Sequence, residues 1–252
     1  TETDRQNVQK QLGLEDQGVV VTEGFSQWVL EDNFCAGRPA WEEVGVTMVD
    51  DVTPFEHMKL RMLNGTHSTL AYLGFIAGHE FVADAANDSD FQQLLLGMWQ
   101  DEIIPTLSMP VGIDLQAYAH DLMARYQNPE LHHRLYQIAM DGSQKLPQRL
   151  LGTLRDHLTA NRLPKRILLA IAGWMRYVTG IQENGIAFEV QDPLTPKLQQ
   201  LAQESRFLNG HLNTEKTSEY VNQLLQIEEI FGRDLANHTI FFQQLTSVLQ
   251  EL

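Results

Sequence analysis

Four polar side chains between Thr53 and Ala77 fall at a spacing that could serve one reaction. Glu56, Lys59, Asn64 and His67 lie in the stretch FEHMKLRMLNGTHS. On an α-helix at about 100° per residue, Glu56 stands at about +60°, His67 at about +80° and Asn64 at about +140° from Lys59. All four therefore share one side of the helix. A carboxylate, an ammonium, an amide and an imidazole facing one cavity suit the oxidation of a secondary alcohol without a metal. A base takes the hydroxyl proton while a hydride leaves the same carbon. A lysine can be that base once burial and its neighbours lower its pKa towards neutrality. Asn64 can donate to the developing carbonyl oxygen, as an oxyanion site does, and His67 can orient a hydroxyl. Each residue also has a plainer reading: Glu56 as half of a capping box, Lys59 as a solvated surface lysine, His67 as a hydrogen-bonded core histidine.

Other chemistries lack their marks. No glycine-rich GxGxxG follows a strand and no GxxxxGK[ST] is present, so no phosphate-cradling loop is visible. None of the nine histidines falls in HExxH, and the adjacent His132 and His133 would point about 100° apart on a helix, so no metal site is expected. GxSxG is absent. Cys35 is the single cysteine, has no basic partner nearby in sequence, and reads as a buried or half-buried free thiol.

The elements that must carry the polar ladder read as mainly helical. Thr53-Pro54-Phe55-Glu56 is a helix start with a Thr cap, Pro at the first position and Glu three residues on. That helix is expected to run to about Ala77. Asp88 or Ser89 should cap a helix that ends before Pro105. Three- and four-residue apolar spacing predicts further helices near 114–127, 129–140, 143–159, 164–179, 194–204, 216–230 and 238–250. A short helix at 4–12, strands at 19–22 and within 44–49, and a turn at Gly37-Arg38-Pro39 make up a small β-containing entry segment. Residues 180–192 suggest a hairpin turning at Asn184-Gly185.

Composition narrows the partners. The 252 residues carry 18 Lys and Arg against 33 Asp and Glu, a formal net charge of −15. Such an excess repels nucleic-acid backbones and anionic membrane surfaces, and an anionic substrate would need a local basic pocket. With 43% apolar residues, a sizeable core can form. No uncharged apolar run reaches the roughly 18 residues of a membrane span. The longest candidate, Ile167 to Met175, reads as a buried helix. The polar residues 1–12 show no signal-peptide pattern, and a reduced, cytoplasmic setting is the expectation.

Lys59-x4-Asn64-x2-His67, within MKLRMLNGTHSTLAYLGFIAG, resembles the signature of the polyol-specific long-chain dehydrogenases, the mannitol dehydrogenase family. The stretches 27–34 (QWVLEDNF), 137–150 (QIAMDGSQKLPQRL) and 172–177 (AGWMRY) resemble its fructuronate reductase branch in particular. The likeness covers about residues 1 to 195 and fades towards the C-terminus. The resemblance implies Lys59 as general base, Asn64 polarising the reacting oxygen, His67 binding substrate near the reacting carbon, Glu56 on a proton path beside the lysine, and Lys145 on substrate hydroxyls. Mannitol-type members carry arginine at the position of Gln137, so glutamine there points away from a mannitol-like substrate and towards a different polar end. For a uronate carboxylate, local charge nominates Lys145, Arg149 and Arg134, although Arg134 and Arg149 also read as ordinary helix-surface charges. The resemblance further implies a multi-helical substrate-binding domain at 51–252, preceded at 1–50 by the end of a Rossmann-type domain. It makes NAD the cofactor, bound mainly by that absent N-terminal domain, so the chain by itself is expected to show no turnover.

Overall fold

The computed structural model describes residues 2–205 and 214–252. Two compact units divide at Asp50/Asp51. The first holds helix α1 (Glu2–Leu12), a two-stranded parallel sheet of β1 (Val29–Glu31) and β2 (Thr47–Val49), and a single 3₁₀ turn at Trp41–Val44. Trp41 stacks on Trp28 at 6.4 Å and meets the edge of Phe34 at 5.3 Å. Arg38 clamps this segment by donating to both carboxylate oxygens of Asp32 at 2.7 Å and to Glu42. The expected strand at 19–22 is absent: Val20 and Val21 are exposed and unpaired. β-Branched residues form strands where a half-buried surface receives them, and none does so here. β2 lies within the predicted 44–49, but its partner is 29–31. Cys35, expected to be buried or half-buried, is exposed.

The second unit is helical. α2 (Thr53–Met58), α3 (Thr66–Ile76), α4 (Val82–Asn87), α5 (Ser89–Gly97), α6 (Leu115–Tyr126), α7 (Leu135–Ala139), α8 (Gly142–Leu146), α9 (Gly152–Thr159), α10 (Lys165–Tyr177), α11 (Thr195–Glu204), α12 (Thr214–Leu225), α13 (Glu228–Ala236) and α14 (Thr239–Glu251) follow in order. α10 is the axis. It is buried along most of its length and packs on α3 and α14, with α7 on the far side of α3.

Several expected helices are interrupted, each for a local reason. The predicted 53–77 and 88–104 helices form but change to wide π turns, hydrogen-bonded i→i+5, at Lys59–Gly65 and Met98–Ile103. The predicted 143–159 helix does the same at Pro147–Leu151, where Pro147 has no N–H to give. Of 129–140 only 135–139 is helical. Residues 133–135 are drawn into bonds with the chain at 80–82: Val82 N–H donates to the His133 carbonyl and Leu135 N–H to that of Glu80. The 216–230 helix breaks at Ile227, which takes an extended conformation, and Gly232 (φ 69°) kinks α13 again. At 180–192 the tight turn is present, with Gly185 at φ +82° and Ile186 N–H on Asn184 Oδ1. Its arms meet only in one antiparallel bridge, Ile181 to Ala187. The capping box at Thr53 does not form. Thr53 already lies inside α2, its N–H donates to Asp51 Oδ1 at 2.9 Å, and Glu56 is left exposed.

The N-terminus of α10 would leave backbone N–H groups unsatisfied in the interior. Glu102, only 5% exposed, comes from the second π turn and accepts from Arg166 N–H at 2.9 Å and Ile167 N–H at 2.8 Å. Burial pushes its carboxyl pKa up, and these two bonds work against that shift. An amide keeps one good acceptor and turns a donor towards a second N–H. Glu102→Gln is therefore expected to cost about 1–3 kcal/mol, visible as a lower urea midpoint with an unchanged m-value.

Candidate active site

The polar ladder rides on the π turn Lys59–Gly65. In an i→i+5 turn, residues five apart come nearly into line, so Lys59 and Asn64 stand closer in direction than the 140° of a regular helix. Side chains of neighbouring elements hold this turn open. Trp99 Nε1 donates to the Met62 carbonyl at 2.9 Å, Tyr126 Oη to that of Leu63 at 2.7 Å, and Thr69 Oγ1 to that of Gly65 at 3.0 Å. Gly65 lies against the third π turn so tightly that a Cβ would sit 2.7 Å from the Arg149 carbonyl oxygen. That contact brings residues 147–151 beside the ladder.

Lys59 and Glu56 are exposed, whereas Asn64 and His67 are half-buried. The buried lysine anticipated for a base is thus an exposed one within this chain. No side-chain hydrogen bond or ion pair engages Glu56, Lys59, Asn64 or His67 among the described residues. Arg61, on the same turn, is by contrast tied down by Asp156 and Thr106. The ladder's polar groups are left unspent by the fold. His67 stacks on Tyr126 at 4.5 Å and has the His133 ring edge-on at 6.4 Å. Burial first, then the charges of His133, Arg149 and Arg125, hold its pKa down at about 3, so the imidazole is neutral at pH 7.

Beside the ladder sit two cations. Arg149 Nη1 donates to Ser68 Oγ at 3.0 Å, while its buried Nε has no partner among the described residues. Lys145 donates to the carbonyls of Ile138 and Met140. Neither has a carboxylate within ion-pair distance among the described residues, although the chain carries 33 acidic residues. Burial lowers the pKa of both groups; on Lys145 the charge of Arg149 adds to the effect, and those of Asp141 and Asp192 work against it. A guanidinium stays charged regardless, so Arg149 is a half-buried cation awaiting an anion. Arg134 is not part of this cluster. It is exposed, pairs with Glu80 at 3.5 Å and lies over the Phe81 ring. Gln137 is exposed on α7; its N–H donates to the Arg134 carbonyl at 3.1 Å, and no side-chain hydrogen bond joins it to the ladder, Lys145 or Arg149 among the described residues.

Sequence reasoning missed Ser68, Tyr72, Tyr126 and His133. Ser68 and Tyr72 continue the ladder's helix at one-turn spacing from Asn64, which was a usable signal. Tyr126 and His133 arrive from α6 and the loop before α7, and nothing local marks them. Among the described residues no group of three or more His, Cys, Asp or Glu is placed to hold a metal ion, and no helix is long and apolar enough to cross a membrane.

The helical unit that carries this site belongs to a known family. Residues 51–252 match the mannitol dehydrogenase C-terminal domain, and the chain belongs to the mannitol dehydrogenase family. It is 45% identical over its whole length to the uncharacterized oxidoreductase YdfI of Escherichia coli strain K12, covering 50% of that protein. It is 44% identical over 98% of its length to the D-mannonate oxidoreductase of the same organism, covering 49% of it. Its fold matches a ternary complex of Pseudomonas fluorescens mannitol 2-dehydrogenase with NAD and D-mannitol, with TM-score 0.85 and 34% identity over 100% of this chain and 49% of that one. The likeness runs past residue 195, where sequence reading expected it to fade, to the end of the chain. The chain spans about half the length of the curated relatives it matches.

A base whose pKa is depressed on folding makes the native state bind fewer protons than the unfolded one. The stability His67 contributes is fully present above its ordinary value of 6.5 and is lost as pH falls towards about 3. The urea midpoint is expected to drop between pH 7 and pH 5, with a shallower drop in His67→Asn. Equal slopes for the two proteins would count against a neutral, desolvated His67.

Proposed function

We propose that this chain is the substrate-binding and catalytic half of an NAD-dependent oxidoreductase that interconverts a sugar acid and its keto form, D-mannonate and D-fructuronate. The observation that carries the substrate class is the Lys145/Arg149 pair: two partly buried cations beside the ladder, neither in an ion pair with a carboxylate among the described residues. A uronate carboxylate supplies the missing anion, and a planar guanidinium receives it well. The 44% identity to D-mannonate oxidoreductase, against 35–37% to mannitol dehydrogenases, supports the same choice.

Lys59 takes the proton of the substrate hydroxyl in the oxidation and returns it in the reduction, and Glu56 passes it to solvent. Asn64 donates to the reacting oxygen as it becomes a carbonyl. His67, neutral and braced on Tyr126, accepts from or donates to a neighbouring hydroxyl. Bound nicotinamide supplies the hydride acceptor. Its phosphates find no cradle here: the exit of β2 carries Asp50 and Asp51 rather than a glycine-rich turn, and α2 follows directly. We assign cofactor binding to a Rossmann-type domain of a longer protein, of which residues 1–50 form the end. The desolvation Lys59 lacks in this chain would come from the same source.

Two measurements on the full-length enzyme test the reading, with NADH consumption followed for fructuronate, tagaturonate and fructose. Lys59→Ala is expected to lower kcat/KM by about 10²- to 10⁴-fold, the usual worth of a general base. Unchanged turnover would remove Lys59 from the mechanism. Arg149→Gln should raise KM for the uronate by about tenfold or more, the worth of a charged hydrogen bond, and leave KM for fructose near its starting value. An equal rise for both sugars would refute the carboxylate assignment, and a preference for fructose in the unmodified enzyme would favour a polyol dehydrogenase.

A further inference from the structure

Lys145 owes its position to a two-residue bend, Met140-Asp141, between α7 and α8. Its ammonium is held by the carbonyls of Ile138 and Met140, which close α7, while its own backbone belongs to α8. For a side chain of α8 to reach back to those carbonyls, the chain must reverse at Asp141. It does so with Asp141 in the left-handed region, φ 56° and ψ 35°, a conformation that costs a residue with a Cβ free energy unless its surroundings enforce it. The Lys145 and Gln144 N–H groups both return to the Asp141 carbonyl at 3.1 Å.

The enforcement comes from a segment some fifty residues further on. Asp141 N–H donates to the Gln191 carbonyl at 2.9 Å. Asp192 then grips the first turn of α8 with both oxygens: Oδ2 accepts Ser143 N–H at 2.7 Å and Oδ1 accepts Ser143 Oγ at 2.6 Å. Oδ1 also accepts Leu194 N–H at 2.9 Å, and Asp192 N–H donates to Thr195 Oγ1 at 3.0 Å, so the carboxylate is fixed on its own side. Ser143 is 4% exposed. Asp192 makes no ion pair with Lys145 among the described residues; its charge, like that of Asp141, acts on the ammonium through space, and its geometric hold runs through Ser143 and the bend.

We propose that Asp192 is a positioning residue: through Ser143 it locks the left-handed bend at Asp141 and thereby aims the Lys145 ammonium at the substrate's polar end. The inference rests on the reading of Lys145 as a substrate-binding cation. It predicts an effect on KM and little on kcat, because the bend carries the binding cation and not the proton-transfer ladder. A carboxylate that merely caps α8 would lower stability and leave the behaviour of Lys145 alone.

The test uses the full-length enzyme with Asp192→Ala, Asp192→Asn and Ser143→Ala. Two readouts are taken: uronate kinetics, and the rate at which an amine-acetylating reagent modifies Lys145, measured by mass spectrometry against exposed Lys197 as internal standard. Asp192→Ala should free the ammonium from its carbonyls, speeding its acetylation relative to Lys197. It should raise uronate KM by about ten- to a hundredfold, as an ångström-scale misplacement does, with kcat within about twofold. Asp192→Asn, which keeps an acceptor for Ser143, should fall between. If Asp192→Ala does not fold, Ser143→Ala, which leaves the backbone N–H bond in place, should show the same pattern more weakly. Folded variants with unchanged Lys145 acetylation would overturn the inference. Loss of the Asp192 charge alone would also speed acetylation, so Ser143→Ala, which keeps that charge, decides: faster acetylation there with unchanged uronate KM would uphold the positioning and overturn the reading of Lys145 as a substrate contact.

Discussion

The bond from the Trp99 indole to the Met62 carbonyl sets the terms for the rest of the site. A π turn is rare because it shifts the backbone out of its preferred pairing, and it persists where neighbours compensate. Here three side-chain donors from α3, α6 and the second π turn occupy the carbonyls of Met62, Leu63 and Gly65. The second π turn is served in the same way, with His157 on the Glu102 carbonyl. These two wide turns are thus each compensated by a donor outside the turn. The geometry of the ladder is accordingly a property of the packed core and not of α2 and α3 by themselves.

The same packing concentrates charge of the unusual sign. A chain at −15 has carboxylates to spare, and most of its arginines use them: Arg5, Arg38, Arg61, Arg134, Arg155, Arg166 and Arg233 each sit in an ion pair. Arg149 and Lys145 do not. Gly65 lets the third π turn approach until the Arg149 carbonyl touches the first, and the bend at Asp141 sends Lys145 to backbone oxygens rather than to an acid. Carbonyls orient an ammonium without neutralising it, which leaves both cations available to an anionic ligand.

Helix positions were legible wherever apolar periodicity and caps agreed. Asp88 caps α5 as expected, α6 lies at the predicted 114–127, and α10 follows from one buried apolar run. The failures share a cause. The strand at 19–22 had β-branched residues but no surface to pack on. The helix at 129–140 lost its first half to pairing with residues 80–82, and the helix at 216–230 broke at Ile227. In each case contacts distant in sequence, or their lack, outweighed local propensity.

By itself the sequence determined that the domain is helical and to which family the chain belongs, since these depend on residue type and spacing along a few turns. Tertiary structure alone decided that Lys59–Gly65 is a π turn, that Glu56 caps nothing, that Arg134 faces Glu80 while Arg149 turns inward to Ser68, and that Tyr126 and His133 join His67. Those outcomes hang on hydrogen bonds and packing between residues tens of positions apart, and no local pattern encodes which backbone carbonyl a remote indole or phenol will reach.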